Sequence, residues 1–316
     1  ILPYLERLTL APQWRLLPQK LSSFAGATGL KGSNNWVISP QKSASNYPLM
    51  ASDPHLEINR LPPTWYEVIA HTPDNFFCGV TMPGIPGLIM GRTRELSFSF
   101  TYGFMDMVDY FIEDVRDLSY LRKGERWPLT AREEVIKRKK SKNQSVTIYK
   151  SPLGGLETPW AKDSGPSLED GLYLCRAWAG DKRGAGSTLN ALFALQHQRF
   201  ENEAREILTG VALSANWLVA DKLGNIGAQQ SGIFPIRRGG GLLPLPAWEP
   251  ENHWQGFHGP DKLVSQRNPP KGYLLSANQC NNLVKGPKSV NLPMARYRYE
   301  RIDSLLSNLN NTNLED

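Results

Sequence analysis

A serine that follows a run of small residues is the first candidate in this sequence for a catalytic nucleophile. Residues 22–32 (SSFAGATGLKG) are rich in Ser, Ala and Gly, which is typical of an exposed connector, and they lead directly into Ser33. If the Gly32–Ser33 bond were cleaved, Ser33 would carry a free α-amine beside its own hydroxyl. Such an amine has a pKa of about 7.7–8.0, so it could act as the base for the hydroxyl nucleophile. An ordinary serine at the start of a strand is the alternative that composition alone favours.

Other candidates for a nucleophile or a metal ligand are weaker. The five histidines form no convincing pattern with Ser and Asp that would indicate a catalytic triad. Cys78, Cys175 and Cys280 are far apart and odd in number, which argues against a disulfide framework or a zinc site. Each cysteine is therefore interpreted as a small buried apolar residue.

The net charge of +6 comes mostly from dispersed basic residues. One dense run, Lys137–Lys142 (KRKKSK), lies between Glu133–Ile136 and Ser145–Tyr149, which are both expected to be strands. A solvated hairpin tip explains this run better than a phosphate-binding patch, because no aromatic residues are interleaved with the basic ones. We therefore expect no nucleic-acid partner. No stretch approaches the roughly 18 consecutive apolar residues of a membrane span, so none is expected.

The elements that would position Ser33 are mainly strands, separated by Gly and Pro. Leu96–Tyr102 (LSFSFTY) alternates most regularly between apolar and polar residues. Helical spacing extends from Ser187 to Leu208 and is expected again over Arg298–Leu309, whereas residues 239–270 are interpreted as a long loop. The stripe of the first helix comprises Leu189, Leu192, Phe193, Phe200, Ala204 and Ile207. Further strands are expected at Asn35–Ser39, Tyr66–Ala70, Phe77–Met82 and in a hairpin of Asn216–Ala220 with Asn225–Ser231. Strands, then a helix, then strands again predict an α+β fold.

A series of short motifs occurs along nearly the whole chain. In order they are Ser33–Val37 (SNNWV), Asp53–Leu56 (DPHL), Pro83–Gly87 (PGIPG), Thr101–Asp109 (TYGFMDMVD), Arg176–Trp178, Asn216–Trp217, Ala220–Asp221, Gly224–Gly227, Gly272–Asn278 and Arg298. Their order and spacing resemble the penicillin acylase (penicillin amidase) family of N-terminal nucleophile hydrolases. The resemblance implies an αββα fold, in which two antiparallel sheets lie between helical layers. It also implies an amide hydrolase that acts on N-acyl compounds, such as penicillins, cephalosporins or acyl-homoserine lactones, through a seryl acyl-enzyme after autocatalytic cleavage at Gly32–Ser33.

The resemblance assigns a role to each matching position of the site. Ser33 would attack the amide carbonyl, and the resulting oxyanion would accept hydrogen bonds from the backbone N–H of Tyr102 and the side-chain amide of Asn278. The main chain at His55 would orient the new α-amine, and Arg298 would hold the catalytic asparagine. Without the resemblance, the favoured interpretations are a turn residue for Asn278, a satisfied structural histidine for His55 and a helix-surface charge for Arg298.

These roles carry a geometric expectation that coordinates can test. Ser33 should begin a central strand, and Tyr102 should end the neighbouring strand. Asn278 should follow a strand at Tyr273–Ser276 and reach the same place, with Arg298 close behind it. His55 should approach the backbone at Ser33 and not its hydroxyl.

A calcium site is also implied by the resemblance, although no cofactor is expected for catalysis. Asp106 and Asp109 would supply carboxylates, with Val108 between them and Pro235 as a backbone ligand. Two carboxylates three residues apart suit a hard cation that takes oxygen ligands. A further ligand would come from a partner chain.

The same resemblance predicts how the chain is organised. Residues 1–32 would be the tail of a preceding chain, separated by cleavage, and residues 33–316 the N-terminal part of the catalytic domain. Leu56 and Met90 would line the acyl pocket, which favours an apolar acyl group. The expected partners are a small N-acyl substrate and the separated N-terminal chain of the same precursor, and the expected location is the periplasm or the cell exterior. The alternative is a truncated, catalytically silent relative that serves as a binding or structural module.

Overall fold

The computed structural model describes residues 32–56, 61, 63–157, 168–182, 184–238, 241, 243–279, 281 and 296–315. The described strands are β1 (Ser33–Ile38), β2 (Leu49–Pro54), β3 (Tyr66–His71), β4 (Phe76–Thr81), β5 (Met90–Arg92), β6 (Leu96–Tyr102), β7 (Val108–Arg116), β8 (Ser119–Arg122), β9 (Glu125–Pro128), β10 (Thr130–Ile136), β11 (Gln144–Lys150), β12 (Gly155–Leu156), β13 (Gly171–Trp178), β14 (Ala215–Asp221), β15 (Ile226–Ser231), β16 (Leu245–Pro246), β17 (Ser265–Arg267) and β18 (Tyr273–Ser276). The described α-helices are α1 (Gly184–Leu195), α2 (Glu201–Leu208) and α3 (Tyr297–Asn308). The predictions for residues 1–31 and for Cys280 lie outside the described residues.

The strands form three sheets with mostly antiparallel pairing. A three-stranded sheet has the order β18-β1-β2, and a seven-stranded sheet has the order β17-β15-β14-β6-β5-β4-β3. The third sheet runs β10-β11-β12-β13-β7-β8-β9, with β16 added parallel to β7.

Alternation along β6 explains how the first two sheets stack. Phe98 and Phe100 are buried on the side of α1 and α2, in one core with Leu208. The intervening polar residues of β6 face the three-stranded sheet, where Ser99 Oγ donates a hydrogen bond to Asn35 Oδ1 at 2.7 Å. Successive side chains of a strand point to opposite faces, so β6 separates a helix-facing core from an interface between two sheets.

The second helical layer lies outside the three-stranded sheet. Leu306 of α3 packs against Ile38 and Tyr273. On the opposite face of β1, Val37 packs against Leu218 of the seven-stranded sheet. The order of layers is therefore helix, sheet, sheet and helix, as predicted for an α+β fold of the αββα type.

The prediction of one helix over Ser187–Leu208 is wrong, because α1 ends at Leu195 and α2 begins at Glu201. Gln196, directly after α1, accepts a hydrogen bond from the Leu88 N–H at 2.8 Å, which ties this point to the loop before β5. Two members of the predicted stripe, Phe193 and Phe200, are 40% and 39% exposed, so the stripe does not form one continuous buried face.

Two further expectations need correction. β1 pairs with β2 and β18, so β6 is not its neighbour but lies in the facing sheet. Residues 239–270, predicted as a loop, contain the short strands β16 and β17. The hairpin around Lys137–Lys142 is confirmed, since β10 and β11 pair on either side of this exposed run. Within the described part of the chain, no helix has the length and apolar character needed to cross a membrane.

Candidate active site

Ser33 is buried at the first position of β1, the central strand of the three-stranded sheet, as predicted. Its hydroxyl donates a hydrogen bond to the Gly32 carbonyl at 2.7 Å. Its backbone N–H donates to Asn278 Oδ1 at 2.6 Å. The nitrogen that cleavage would turn into an α-amine is therefore already held by a side chain 245 positions away.

Asn278 connects Ser33 to the end of β6. Its Oδ1 accepts from the Ser33 N–H and from Arg298 Nη2 at 3.1 Å, and its Nδ2 donates to the Tyr102 carbonyl at 3.0 Å. Two donors on one side and a carbonyl on the other fix which way the amide is turned. The side-chain amide nitrogen of Asn278 carries two hydrogens, so one N–H is left to donate a further hydrogen bond after the bond to the Tyr102 carbonyl. The residue has φ 64, a left-handed conformation that asparagine adopts more readily than most residues.

Arg298 lies in the first turn of α3 and reaches over the start of β1. Its Nη1 donates to the Ser33 carbonyl and to Asn34 Oδ1, both at 2.9 Å, while Nη2 reaches Asn278. A planar guanidinium can make such divergent bonds from a fixed position. Space around it is limited, because a Cβ added at Gly32 would lie 3.0 Å from the guanidinium carbon of Arg298.

Tyr102 contributes its peptide groups at the end of β6. Its carbonyl accepts the Asn278 amide, and the N–H of the next residue, Gly103, donates to the Ser214 carbonyl at 3.0 Å. Hydrogen-bonded and non-hydrogen-bonded residue pairs alternate along an antiparallel ladder. Because Gly103 and Ser214 form a hydrogen-bonded pair, the adjacent pair of Tyr102 and Ala215 is not hydrogen-bonded. We therefore expect the Tyr102 N–H to point away from β14, where it can act as a donor.

His55 approaches the site through its main chain, as predicted. Its backbone N–H donates to the Gly32 carbonyl at 2.9 Å. Its imidazole Nε2 instead lies 2.7 Å from Asp53 Oδ2 and 3.3 Å from Asn34 Nδ2. The imidazole is thus engaged with side chains of β1 and β2, and the peptide group is the part of His55 that faces the Gly32–Ser33 bond.

The predicted acyl-pocket residues differ in burial. Met90 is buried in the core beneath β6, and its sulfur accepts a weak hydrogen bond from Ser52 Oγ at 3.8 Å. Leu56 is half-buried two residues after β2. Their role in binding an acyl group stays a prediction. A groove of about 800 Å³ between Tyr66 and Gln196 is lined by none of the predicted catalytic residues, so we do not assign the substrate site to it.

Two of the predicted calcium ligands, Asp106 and Asp109, contact an arginine that sequence reasoning did not identify. Arg237 Nη2 lies 2.9 Å from Asp106 Oδ1, and its Nε donates to Asp109 Oδ2 at 2.6 Å. Burial raises the pKa of Asp106 to about 7, against the lowering effect of Arg237. Val108 is more than one-third exposed, and its N–H donates to Asp106 Oδ1 at 3.4 Å. Pro235 is buried and forms an isolated bridge with Phe257.

Asn34 is a member of the site that sequence reasoning did not assign a role. It accepts from Arg298 through Oδ1 and donates to Asp53 Oδ2 at 3.2 Å through Nδ2. It therefore links the arginine to the residues around His55. The doubled asparagine directly after Ser33 was the available signal, because a polar pair at the start of a buried strand needs partners.

Comparisons with known proteins identify the family of this chain. The penicillin amidase family model matches residues 3–316. The chain is 32% identical over 257 residues to acyl-homoserine lactone acylase QuiP of Pseudomonas fluorescens strain Pf0-1, which covers 79% of this chain and 31% of that protein. It is 28% identical over 268 residues to penicillin G acylase of Escherichia coli, covering 80% of this chain and 30% of the relative.

A solved structure is similar over most of the described fold. Penicillin G acylase from Alcaligenes faecalis superposes with a TM-score of 0.77 at 21% identity, covering 89% of this chain and 50% of that chain. The chain thus spans about 30% of the length of the curated relatives and half of the solved chain.

Proposed function

We propose that this chain, which belongs to the penicillin amidase family, is the N-terminal part of the catalytic chain of an acylase that cleaves N-acyl amides with Ser33 as nucleophile. The main support is that Asn278 forms hydrogen bonds with both Ser33 and Tyr102. These residues lie 245 and 176 positions before Asn278 in the sequence. Relatives of both kinds, acyl-homoserine lactone acylases and penicillin acylases, are named for removing acyl groups. Because the chain spans less than a third of those relatives, the activity belongs to the complete protein.

The first proposed step is activation by cleavage of the Gly32–Ser33 bond. Ser33 Oγ attacks the Gly32 carbonyl carbon, the peptide nitrogen leaves with a proton, and water then hydrolyses the resulting ester. The Gly32 carbonyl oxygen already accepts hydrogen bonds from the Ser33 hydroxyl and the His55 N–H. The His55 donor would stay in place to stabilise the oxyanion of this step, whereas the hydroxyl must rotate from the oxygen towards the carbon.

The second proposed step is acyl transfer. The neutral α-amine of Ser33 takes the hydroxyl proton, and Oγ attacks the substrate carbonyl. Asn278 Nδ2 and the Tyr102 N–H then donate to the tetrahedral oxyanion. Collapse of this intermediate breaks the C–N bond, and the α-ammonium protonates the leaving amine. Water attacks the acyl-enzyme ester by the same route and releases the acid.

Arg298 would assist the base as well as the asparagine. Its guanidinium contacts both the Ser33 carbonyl and Asn278 Oδ1. A fixed positive charge at this distance disfavours protonation of the new α-amine and lowers its pKa. The amine would then remain neutral over a wider pH range, without a histidine and without a cofactor.

Three properties of the complete protein follow as proposals from the family. The separated N-terminal chain of the precursor would remain as a partner. Leu56 and Met90 would favour an apolar acyl group, as in penicillins, cephalosporins or acyl-homoserine lactones. The enzyme would act in the periplasm or outside the cell.

Intact mass spectrometry of the full-length product tests the proposal. We expect two chains, the second beginning at Ser33, and release of primary amine from penicillin G or an acyl-homoserine lactone. Ser33→Ala should give one uncut chain with no activity. A wild-type protein that stays uncut and inactive would instead support a binding or structural module. Cleavage of the Ser33→Ala protein at the same bond would show that Ser33 is not the agent.

A further inference from the structure

The acidic pair Asp106 and Asp109 already has a cation between its carboxylates. Arg237 Nη2 lies 2.9 Å from Asp106 Oδ1 and 3.4 Å from the Asp106 carbonyl, and its Nε lies 2.6 Å from Asp109 Oδ2. The guanidinium carbon also lies 6.0 Å from the centre of the Trp254 ring. Asp106 and Asp109 are buried and Arg237 is largely so, with exposed side-chain fractions of 6%, 9% and 15%.

The donors around this pair suit a guanidinium and conflict with a calcium ion. Calcium takes six to eight oxygen ligands at about 2.3–2.6 Å. One oxygen of each carboxylate is engaged by Arg237, and the other oxygen of Asp109, Oδ1, is buried without a hydrogen-bond partner among the described residues. The carboxylate oxygens that remain are too few to complete a calcium site. The Trp254 indole N–H also donates to Asp109 Oδ2, and a hydrogen-bond donor at that place cannot ligate a metal. In the described residues, no group of three or more His, Cys, Asp or Glu side chains could hold a metal ion.

Charge leads to the same conclusion. Two carboxylates buried together repel each other, so a cation must lie between them or one must be protonated. The arginine supplies a permanent positive charge whose fork contacts both. An added divalent ion would have to share carboxylates that lie less than 3 Å from the guanidinium nitrogens. Two cations that share the same carboxylates would repel each other strongly in a buried place.

We propose that Arg237 is the resident cation of this cluster and takes the place that the family resemblance gives to calcium. The arginine clamps the start of β7 to residues 233–238 and to Trp254. Ser214 holds the connection from β6 to β7 at a second place, because its carbonyl accepts from the Gly103 N–H and its Oγ accepts from the Met105 N–H. Folding of this region therefore depends on an internal ion pair and not on calcium. The inference stands on these contacts and not on the role of Ser33.

Thermal unfolding of the full-length protein tests the proposal. We expect the wild-type Tm in 5 mM calcium chloride and in 5 mM EGTA to agree within about 1 °C, because no site gains an ion. Arg237→Ala should lower the Tm by about 5 °C or more, since it leaves two buried carboxylates without a cation. Arg238→Ala, the adjacent exposed arginine, is the matched control and should change the Tm by about 1 °C or less.

A second experiment asks whether calcium can replace the missing arginine charge in Arg237→Ala. Calcium chloride should raise the Tm of Arg237→Ala, and Asp109→Asn added to that variant should abolish the rise. If Arg237→Ala does not fold, the comparison of the wild-type Tm in calcium chloride and in EGTA still tests the proposal. A calcium-dependent rise in the wild-type Tm that Asp109→Asn removes would assign the ion to this cluster and overturn the proposal. A rise that Asp109→Asn leaves unchanged would place the ion elsewhere and support it.

Discussion

Removal of the Asn278 side chain should separate its proposed catalytic role from its structural one. The side chain makes three hydrogen bonds, to the Ser33 N–H, to Arg298 and to the Tyr102 carbonyl. Losing one preorganised oxyanion donor typically lowers turnover about 10²–10³-fold, which corresponds to roughly 2.7–4 kcal/mol of transition-state stabilisation. Stability should fall as well, by about 1–3 kcal/mol for each buried partner left unsatisfied.

The backbone conformation dictates which substitution is informative. Asn278 has φ 64, which costs most residues roughly 1–2 kcal/mol but costs glycine very little. Asn278→Gly therefore removes the amide without strain, whereas Asn278→Ala adds strain to the same loss. Asn46→Ala, at an exposed position with φ 60, is the control that measures strain alone.

The assay is kcat for amine release by the processed full-length enzyme, with Tm measured on the same samples. Intact mass is recorded first, because Asn278 also contacts the nitrogen of the scissile bond. If Asn278→Gly is not cleaved, the two chains are co-expressed with the second beginning at Ser33. We expect the Gly and Ala variants to share the loss in kcat and to differ in Tm. A processed Asn278→Gly enzyme with turnover within about threefold of wild type would refute the oxyanion role.

Three other expectations follow from the same contacts. Gly32→Ala should slow self-cleavage several-fold, because its Cβ would lie 3.0 Å from the Arg298 guanidinium carbon; equal cleavage rates in a pulse-chase experiment would contradict this. Arg298→Lys should lower kcat about tenfold or more, since one ammonium cannot bond both the strand and the asparagine. The exposed Arg301→Lys is its control, and equal losses in the two variants would count against a specific role. Burial raises the pKa of the Cys175 thiol to about 12, so this thiol should resist a disulfide reagent at pH 8, whereas half-buried Cys78 should react first. Peptide mapping of the labelled protein distinguishes the two, and early labelling of Cys175 would show that its burial is not maintained.

Local patterns in the sequence predict strands better than they predict how strands meet. The alternation of Leu96–Tyr102 defines β6 correctly, and the basic run at Lys137–Lys142 marks a hairpin tip. Nothing local indicates that β6 faces β1 across a sandwich, because that choice depends on contacts between residues distant in sequence. The expectation of adjacency was therefore wrong although both strands were found.

The site residues show the same division. Ser33 follows a recognisable small-residue connector, but Asn278 and Arg298 were found only through their resemblance to a family pattern. Arg237 was missed because it lies between the predicted strand Asn225–Ser231 and the predicted loop at residues 239–270, in a stretch to which no element was assigned and where an arginine usually faces solvent. Its burial depends on Asp106 and Asp109, which are contributed from more than 100 positions earlier in the chain.

The polar interface between the two sheets explains how the start of β1 and the end of β6 are held in register. Ser99 bonds Asn35 at 2.7 Å, and Thr101 Oγ1 lies 2.6 Å from Ser276 Oγ. The next link in this direction is Asn278, which joins the start of β1 to the end of β6. Buried hydroxyl and amide groups are costly without partners, so sliding one sheet over the other would break several bonds together. An apolar interface would tolerate such sliding more easily. The same residues that appear as the polar half of an alternating strand therefore fix the separation between Ser33, the proposed nucleophile, and the proposed oxyanion donors Tyr102 and Asn278.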